Sequence, residues 1–428
     1  MARLRLGERR RRLEERLWLE RARAAWRQVP GPLRRPAVPL AFLALAATYP
    51  YYRGHLFTIP IFGEFPDMNT ATIMTVFAMM AIGLNVVVGY AGLLDLGYVA
   101  FYAMGAYTAA WFASPQFSHT FSFGAVGVPP GVPGFHVSIW LILILAAIFT
   151  SIVGVLIGLP TLRLRGDYLA IVTLGFGEIM PQVARNGDDF LGTGFNLTGG
   201  PKGITPIDPP GFGHWLHDKV GLPADYLTAP NFDKLFFWTG LALLVFTVFC
   251  SVRLRDSRLG RAWVAIREDE TAAAAMGIPL MRTKTWAYAT GAFFGGIAGA
   301  FYASYRASTF PDDFFFNISV FILCMVILGG MGNVWGVILG AGFLAYLDRE
   351  GIANVGGWLN DHFAGNEAKW AHVWNNPIDV PLYTYGIYGT IILIVMLFRP
   401  EGLLPSSRRK AEFETGDVHD EPLYDVQH

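Results

Sequence analysis

Ten runs of this sequence are too apolar to be left in water: residues 37–52, 69–88, 91–112, 137–159, 167–183, 235–252, 285–305, 314–330, 334–347 and 383–398. They hold three charged side chains, Asp95, Asp167 and Glu178, where the chain-wide content of 15% would scatter about 28. A lipid span needs about 20 mainly apolar residues. With no water at hand, each of its backbone N–H and C=O groups must be satisfied within the segment, so each run is expected to be a helix. The expected fold is all-α: a polytopic helical membrane protein with about ten transmembrane helices, some interrupted at glycine. The runs 37–52, 334–347 and 383–398 are short for a full span, so they are expected to tilt, to re-enter or to extend past these bounds.

The remaining composition excludes other classes. Soluble domains carry about 25% charged residues, well above this chain, so an ordinary soluble enzyme is excluded. The 33 basic residues balance 33 acidic ones, which removes the net-charge argument for binding nucleic acid. Cys250 and Cys324 both lie inside apolar runs and read as small hydrophobes rather than as a disulfide framework. His214 and His217 sit in a Pro/Gly-rich loop without metal-site spacing, and no metal or cofactor is expected.

Charge position orients the runs, because Lys and Arg in short loops stay on the cytoplasmic side. With the N-terminus inside, ten crossings put 25 of the 33 basic residues inside and 8 outside. Both termini are therefore expected in the cytoplasm. The regions are a basic N-terminal arm (1–36), a transmembrane domain (37–405) and a polar tail (406–428). Within the domain, 253–284 is a cytoplasmic loop, and 185–234 and 348–382 lie outside. The arm reads either as a basic helix held by anionic membrane lipid or as a solvated tail. An uncleaved anchor is preferred over a secretory signal, because about 36 residues precede the first apolar run.

Two apolar segments are dense in glycine, 83–107 around Asp95 and 327–342 around Asn333. Each reads as a helix, a Gly-rich break and a second helix. That pattern suits a substrate path past discontinuous helices, and equally a tight interhelical turn at the cytoplasmic surface. The path residues expected on the first reading are Asn85, Gly89, Gly92, Asp95, Gly97 and Tyr98, then Glu178, then Gly329, Gly330, Gly332 and Asn333. Gly291, Gly295 and Gly299 recur every four residues and read as a packing seam. Glu178 lies about eleven residues into its run. A carboxylate there is expected against a polar cavity or a partner helix, or structurally paired. The stretch 253–284 carries a helix-favouring core, 262–276, that stops at Gly277. Its four alanines suit a helix seated in a groove of another protein, and a solvent-exposed connector fits as well.

The runs AGLLDLGYVAFYAMGAYTA, LPTLRLRGDYLAIVTLGFGEI, LTGGPKGI, GRAWVAIREDETAAAAMGI, VILGGMGNVWGVILGA and FRPEGLLP, in this order, resemble the M-type permease subunits of branched-chain amino acid ABC importers. The resemblance covers about Gly83 to Pro405. It implies a bacterial inner-membrane subunit working with a second related permease subunit, two cytoplasmic ABC ATPases and a periplasmic amino-acid-binding protein. The cargo would be leucine, isoleucine or valine, or in related systems other amino acids, urea or short amides. It also implies an ATPase-coupling role for Arg267, Glu268, Asp269, Glu270, Ala272, Ala273 and Gly277. The usual Glu-Ala-Ala, three residues, Gly pattern is met by Ala272, Ala273 and Gly277, but Thr271 holds the acidic place and Glu270 sits one residue earlier.

No Gly-Lys-Ser or Gly-Lys-Thr phosphate loop occurs, so energy is expected to enter from a partner at the cytoplasmic face. The outside loop 185–234, with nine glycines and six prolines, is the expected docking surface for the binding protein. The rival class is an ion-coupled carrier in which Asp95 and Glu178 bind or release a cation. A membrane enzyme is the third class and has little in the sequence to support it.

Overall fold

The structure is a computed structural model. It describes residues 31–55, 65–117, 121–124, 132–164, 166–209, 217, 221, 223, 231–363, 379–399 and 401–404. Most of the basic arm, His214 and the tail 406–428 lie outside the described residues, as does much of the proposed docking loop. Residues 1–56 form a unit of their own, represented by helix α1 (Gly31–Tyr52).

The second unit, 57–428, holds the other helices. They are α2 (Met68–Leu84), α3 (Val99–Phe112), α4 (Ile139–Thr161), α5 (Asp167–Arg185), α6 (Asn231–Asp256), α7 (Arg258–Glu268), α8 (Glu270–Ala275), α9 (Leu280–Arg306), α10 (Phe316–Gly329), α11 (Val334–Tyr346), α12 (Ile352–Phe363) and α13 (Thr384–Phe398). Every one of the ten apolar runs contains a helix. Among the described residues, five helical segments are long and apolar enough to cross a membrane: Met68–Tyr90, Ile139–Thr161, Phe232–Asp256, Pro311–Gly329 and Val380–Phe398.

Three boundaries differ from the sequence reading, each for a local reason. The run 91–112 is not one helix: α2 ends in a π-helical turn, Asn85–Tyr90, and residues 91–98 are irregular before α3 begins at Val99. Gly92 turns the chain there with φ +69°, a conformation that a side chain would strain. The stretch 262–276 is likewise two helices, because Asp269 takes an extended conformation between α7 and α8. The run 334–347 is short because α11 passes through a π-helical turn, Leu347–Gly351, into the more polar α12.

α9 is the hub, packed along α3, α4 and α2. The glycine seam permits this. A Cβ on Gly299 would collide with the Tyr102 carbonyl of α3, and one on Gly295 would press on Phe101 and Tyr98. Small residues thus let polar backbones lie in contact where no hydrophobic force separates helix from lipid.

α9 also fixes two ends. Near its start, the buried Trp263 indole of α7 donates to the Thr283 carbonyl at 2.8 Å. Near its finish, the Ser304 hydroxyl donates to the Asp208 carbonyl at 3.1 Å. With 27 residues, α9 separates these ends by about 40 Å. At the Asp208 end, β1 (Ala113–Ser114), β2 (Phe121–Phe123) and β3 (Phe135–Val137) form a small sheet in the order β1-β3-β2, with β3 antiparallel to β1 and parallel to β2. The buried His136 pairs its Nδ1 with Asp208 Oδ2 at 2.7 Å, joining this sheet to the segment before α6. Burial pushes the Asp208 carboxyl up, against the opposing pull of His136. The small sheet and the stretch 253–284 therefore sit at opposite ends of α9.

Replacement Gly299→Val is expected to destabilise the protein by about 1–3 kcal/mol or more through overpacking, read as a lower Tm in detergent. Gly175→Ala, where an added Cβ meets nothing within 4 Å, is expected to leave Tm unchanged.

Candidate functional site

The two glycine-rich breaks meet in space. The break after α2 presents Asn85, fully buried, whose Oδ1 accepts from the Gly332 amide at 2.8 Å. Gly89 completes the contact, since a Cβ there would sit 2.7 Å from the Gly332 nitrogen. The break after α10 is turned by Gly330, with φ +108°. Leu328 and Gly329 are held by the chain after α13, where the Leu403 amide donates to the Leu328 carbonyl at 2.8 Å and the Leu404 amide to the Gly329 carbonyl at 3.2 Å. Asn333 caps α11 through Oδ1 on the Trp335 amide, and its Nδ2 donates to the Leu404 carbonyl at 2.9 Å.

The stretch 253–284 reaches this same junction. Arg267, in the last turn of α7, donates from Nη1 to the Gly89 carbonyl at 2.7 Å. A Cβ at Gly92 would lie 2.7 Å from the Arg267 side chain, so the guanidinium arm lies along the turn. The physics favours this seat: a helix C-terminus exposes unpaired carbonyls and partial negative charge, and a cation answers both.

α8 is built separately. Asp269 is its N-cap, with Oδ1 accepting from the Thr271 and Ala272 amides at 2.8 and 3.0 Å and from the Thr271 hydroxyl. These bonds, the hydroxyl first, hold its carboxyl below the usual carboxylate range. Glu270 turns inward and its Oε1 meets Lys284 Nζ of α9 at 2.7 Å. The Lys284 side chain is only 4% exposed, so this pair anchors α8 to the hub. The helix stops at Gly277 with φ +84°, its amide on the Ala274 carbonyl and the next amide on that of Ala273. Ala273 is buried, whereas Ala272, Ala275 and Met276, 84% exposed, form a bare apolar face. Glu268 is exposed beside it.

The other path residues fall into two places. Asp95, Gly97 and Tyr98 lie in the irregular segment before α3 and pack on α5 and α9. Asp95 is buried and its Oδ1 accepts from the Gly97 amide at 2.9 Å, while Oδ2 has no hydrogen-bond partner among the described residues. A Cβ at Gly97 would strike the Thr173 carbonyl, and the Tyr98 hydroxyl donates to the Gly291 carbonyl at 2.9 Å. Glu178 stands apart, exposed on α5. The structure thus unites Asn85, Gly89, Gly92 and Gly332 with Arg267, and it separates Glu178 from all of them. Sequence reasoning missed Lys284 and Trp263, which fasten α8 and α7 to α9. It also missed the clasp of His136 and Asp208; only their placement by the fold pairs these groups, and no spacing in the chain announces them.

Residues 68–396 match the model of a family described as the permease component of branched-chain amino acid transport systems. The chain is 34% identical over 389 residues, 88% of its length and 76% of the relative's, to the high-affinity branched-chain amino acid transport system permease protein LivM of Escherichia coli strain K12. A probable branched-chain amino acid transport permease protein LivM of Methanocaldococcus jannaschii is 31% identical over 271 residues, 62% of this chain and 68% of that one. The LivH permease protein of the Escherichia coli system is 24% identical over 340 residues, 78% of this chain and 93% of that one. No solved structure matches the chain. A lipid-suited helical body, interrupted helices that meet at one junction and these similarities agree: the chain belongs to the permease components of branched-chain amino acid transport systems and is a transport subunit, not an enzyme.

Proposed function

We propose that the chain is one of two related permease subunits of an ATP-driven importer, fed from outside by an amino-acid-binding protein and driven from inside by two ABC ATPases. The cargo is leucine, isoleucine or valine. The printed roles of the LivM and LivH relatives support this reading, and similarity to both supports a related second subunit. On this reading all ten runs cross the bacterial inner membrane and both termini are cytoplasmic. The tally of basic residues supports that orientation, as does the position of residues 403–404 at the Arg267 end.

The observation that carries the coupling proposal is the hydrogen bond from Arg267 to the Gly89 carbonyl. The bare face of Ala272, Ala275 and Met276 seats in an ATPase groove, Asp269 and Gly277 define the ends of that short helix, and Glu268 orients it. Movement of the partners is passed through Arg267 to the junction of the two breaks. There the rigid helices α2, α3, α10 and α11 rock against one another to alternate access. Asn85, Gly89, Gly92, Gly329, Gly330, Gly332 and Asn333 are then the joint of the transporter, while Asp95, Gly97 and Tyr98 hold α3 to α5 and α9. The second reading named for the breaks, a tight turn at the cytoplasmic surface, is the one their close backbone contacts favour.

Reconstituted with its partners, the protein is expected to take up labelled leucine only with ATP inside the vesicle and loaded binding protein outside. Uptake without an ATPase that collapses with a proton or sodium gradient would establish the ion-coupled carrier instead. Arg267→Ala is expected to cut uptake by at least about tenfold, as loss of a site-to-site coupling does, while ATP hydrolysis by the assembled complex persists. Asp269→Asn keeps the cap and is expected to transport normally, whereas Asp269→Ala is expected to lose several-fold. The Asp269 carboxyl titrates lower in the folded protein, so its support is complete above the unfolded value of about 3.9 and is lost only as pH falls through the folded one. The difference between the unmodified protein and the Asp269→Ala variant is therefore expected to be flat from pH 5 to 8.

A further inference from the structure

The outward faces of the helices are not alike. α4 exposes Trp140, Ile144, Ile148, Ile152 and Leu156 along one side, a continuous aliphatic and aromatic surface fit for hydrocarbon. α13 does the same with Leu393, Ile394 and Leu397. α5 differs. Between the exposed apolar Tyr168, Leu174, Ile179 and Val183, the residues Ile171, Gly175, Glu178 and Gln182 follow one another at i, i+4, i+7 and i+11, so they lie on one face, and the three side chains in the set are all exposed. A Cβ at Gly175 would meet nothing within 4 Å, leaving a notch between Ile171 and Glu178. With Asp167 and Arg185 at its ends and Glu178 and Gln182 between them, α5, at 19 residues, is not among the described helices apolar enough to cross a membrane on composition alone.

Depth makes the face informative. α4 precedes α5 and starts at the Asp208 end, and the segment after α5 returns there, with the Trp111 indole donating to the Leu197 carbonyl at 2.8 Å. α5 therefore runs through the body from end to end. Glu178 is eleven residues past its start, about 16 Å along the axis. An ionised carboxylate at that depth is costly against lipid, and exposed groups of this kind face a water-filled path or a cation. The cargo of this family supplies one, since every amino acid carries an ammonium group.

We propose that the stripe Ile171, Gly175, Glu178, Gln182 forms this chain's wall of the substrate conduit, closed opposite by the second permease subunit, and that Glu178 receives the ammonium group of the passing amino acid. The notch at Gly175 and the Ile171 side chain accept the branched aliphatic group. The Gln182 amide, one turn beyond Glu178, donates to the carboxylate. An ion pair balanced by an amide hydrogen bond suits a zwitterion in a place of low polarity, and a single such pair lets the cargo leave as well as enter. The inference rests on the importer reading above and adds to it the residue that contacts substrate.

The test uses the assembled complex in vesicles, with Cys250 and Cys324 replaced by serine and a cysteine at position 182. A cationic methanethiosulfonate reagent is expected to modify Gln182→Cys at least about tenfold faster than an anionic one, through local charge focusing. Glu178→Gln is expected to abolish that preference, and leucine with ATP is expected to slow labelling. Without the cysteine, Glu178→Gln is expected to lower leucine uptake about tenfold at undiminished ATP hydrolysis, and Glu178→Asp to restore part of it. Absence of labelling by either reagent, as for a lipid-facing site, or full transport by Glu178→Gln overturns the proposal. Failure of the unmodified complex to take up leucine would overturn the importer reading itself, so the two failures are distinct.

Discussion

Everything in this protein turns on carbonyl oxygens that a helix in lipid cannot leave unattended. Where α2 loosens into its π-helical turn, the Gly89 carbonyl is freed, and a guanidinium from a segment 178 residues away in sequence satisfies it. Where α10 stops, the Gly329 carbonyl is answered by the Leu404 amide, and where the next turn exposes the Gly332 amide, Asn85 accepts it. Interruption of a membrane helix is tolerated only if other parts of the protein complete its hydrogen bonds. Those completions are what bind remote segments into one joint.

α9 gives the joint something stiff to work against. Its small residues bring α2, α3 and α4 close, and its two ends collect groups from neighbouring segments: Lys284 and Thr283 hold α8 and α7, and Ser304 holds the segment through Asp208. Tyr288, Phe294 and Phe301, packed among glycines and alanines, make its middle a close-packed and stiff element.

Much of the fold was legible because lipid imposes a coarse rule on composition: every apolar run contains a helix. The rule cannot see where an apolar stretch stops being helical, so hydropathy alone puts residues 91–98 in a span, and only the glycines around Asp95 mark the break. Propensity misread 262–276 in the same way, since Asp269 competes for the backbone through its own side chain and splits the alanine-rich stretch. The glycine-dense segments were recognised as special, yet their meeting through Asn85 and Gly332 depends on chain topology that no local pattern carries. The exposure of Glu178 was illegible for the same reason: helical spacing names the residues that share its face and not what covers them.

The strand-like contact of residues 403–404 with Leu328 and Gly329 also sets an order of assembly. The turn after α10 emerges from the ribosome long before the segment that secures it, so a nascent chain waits in the bilayer with that turn open. The α10–α11 bend closes with a clasp supplied by residues 403–404, and a polypeptide cut short before them would have every apolar run yet lack that fastening.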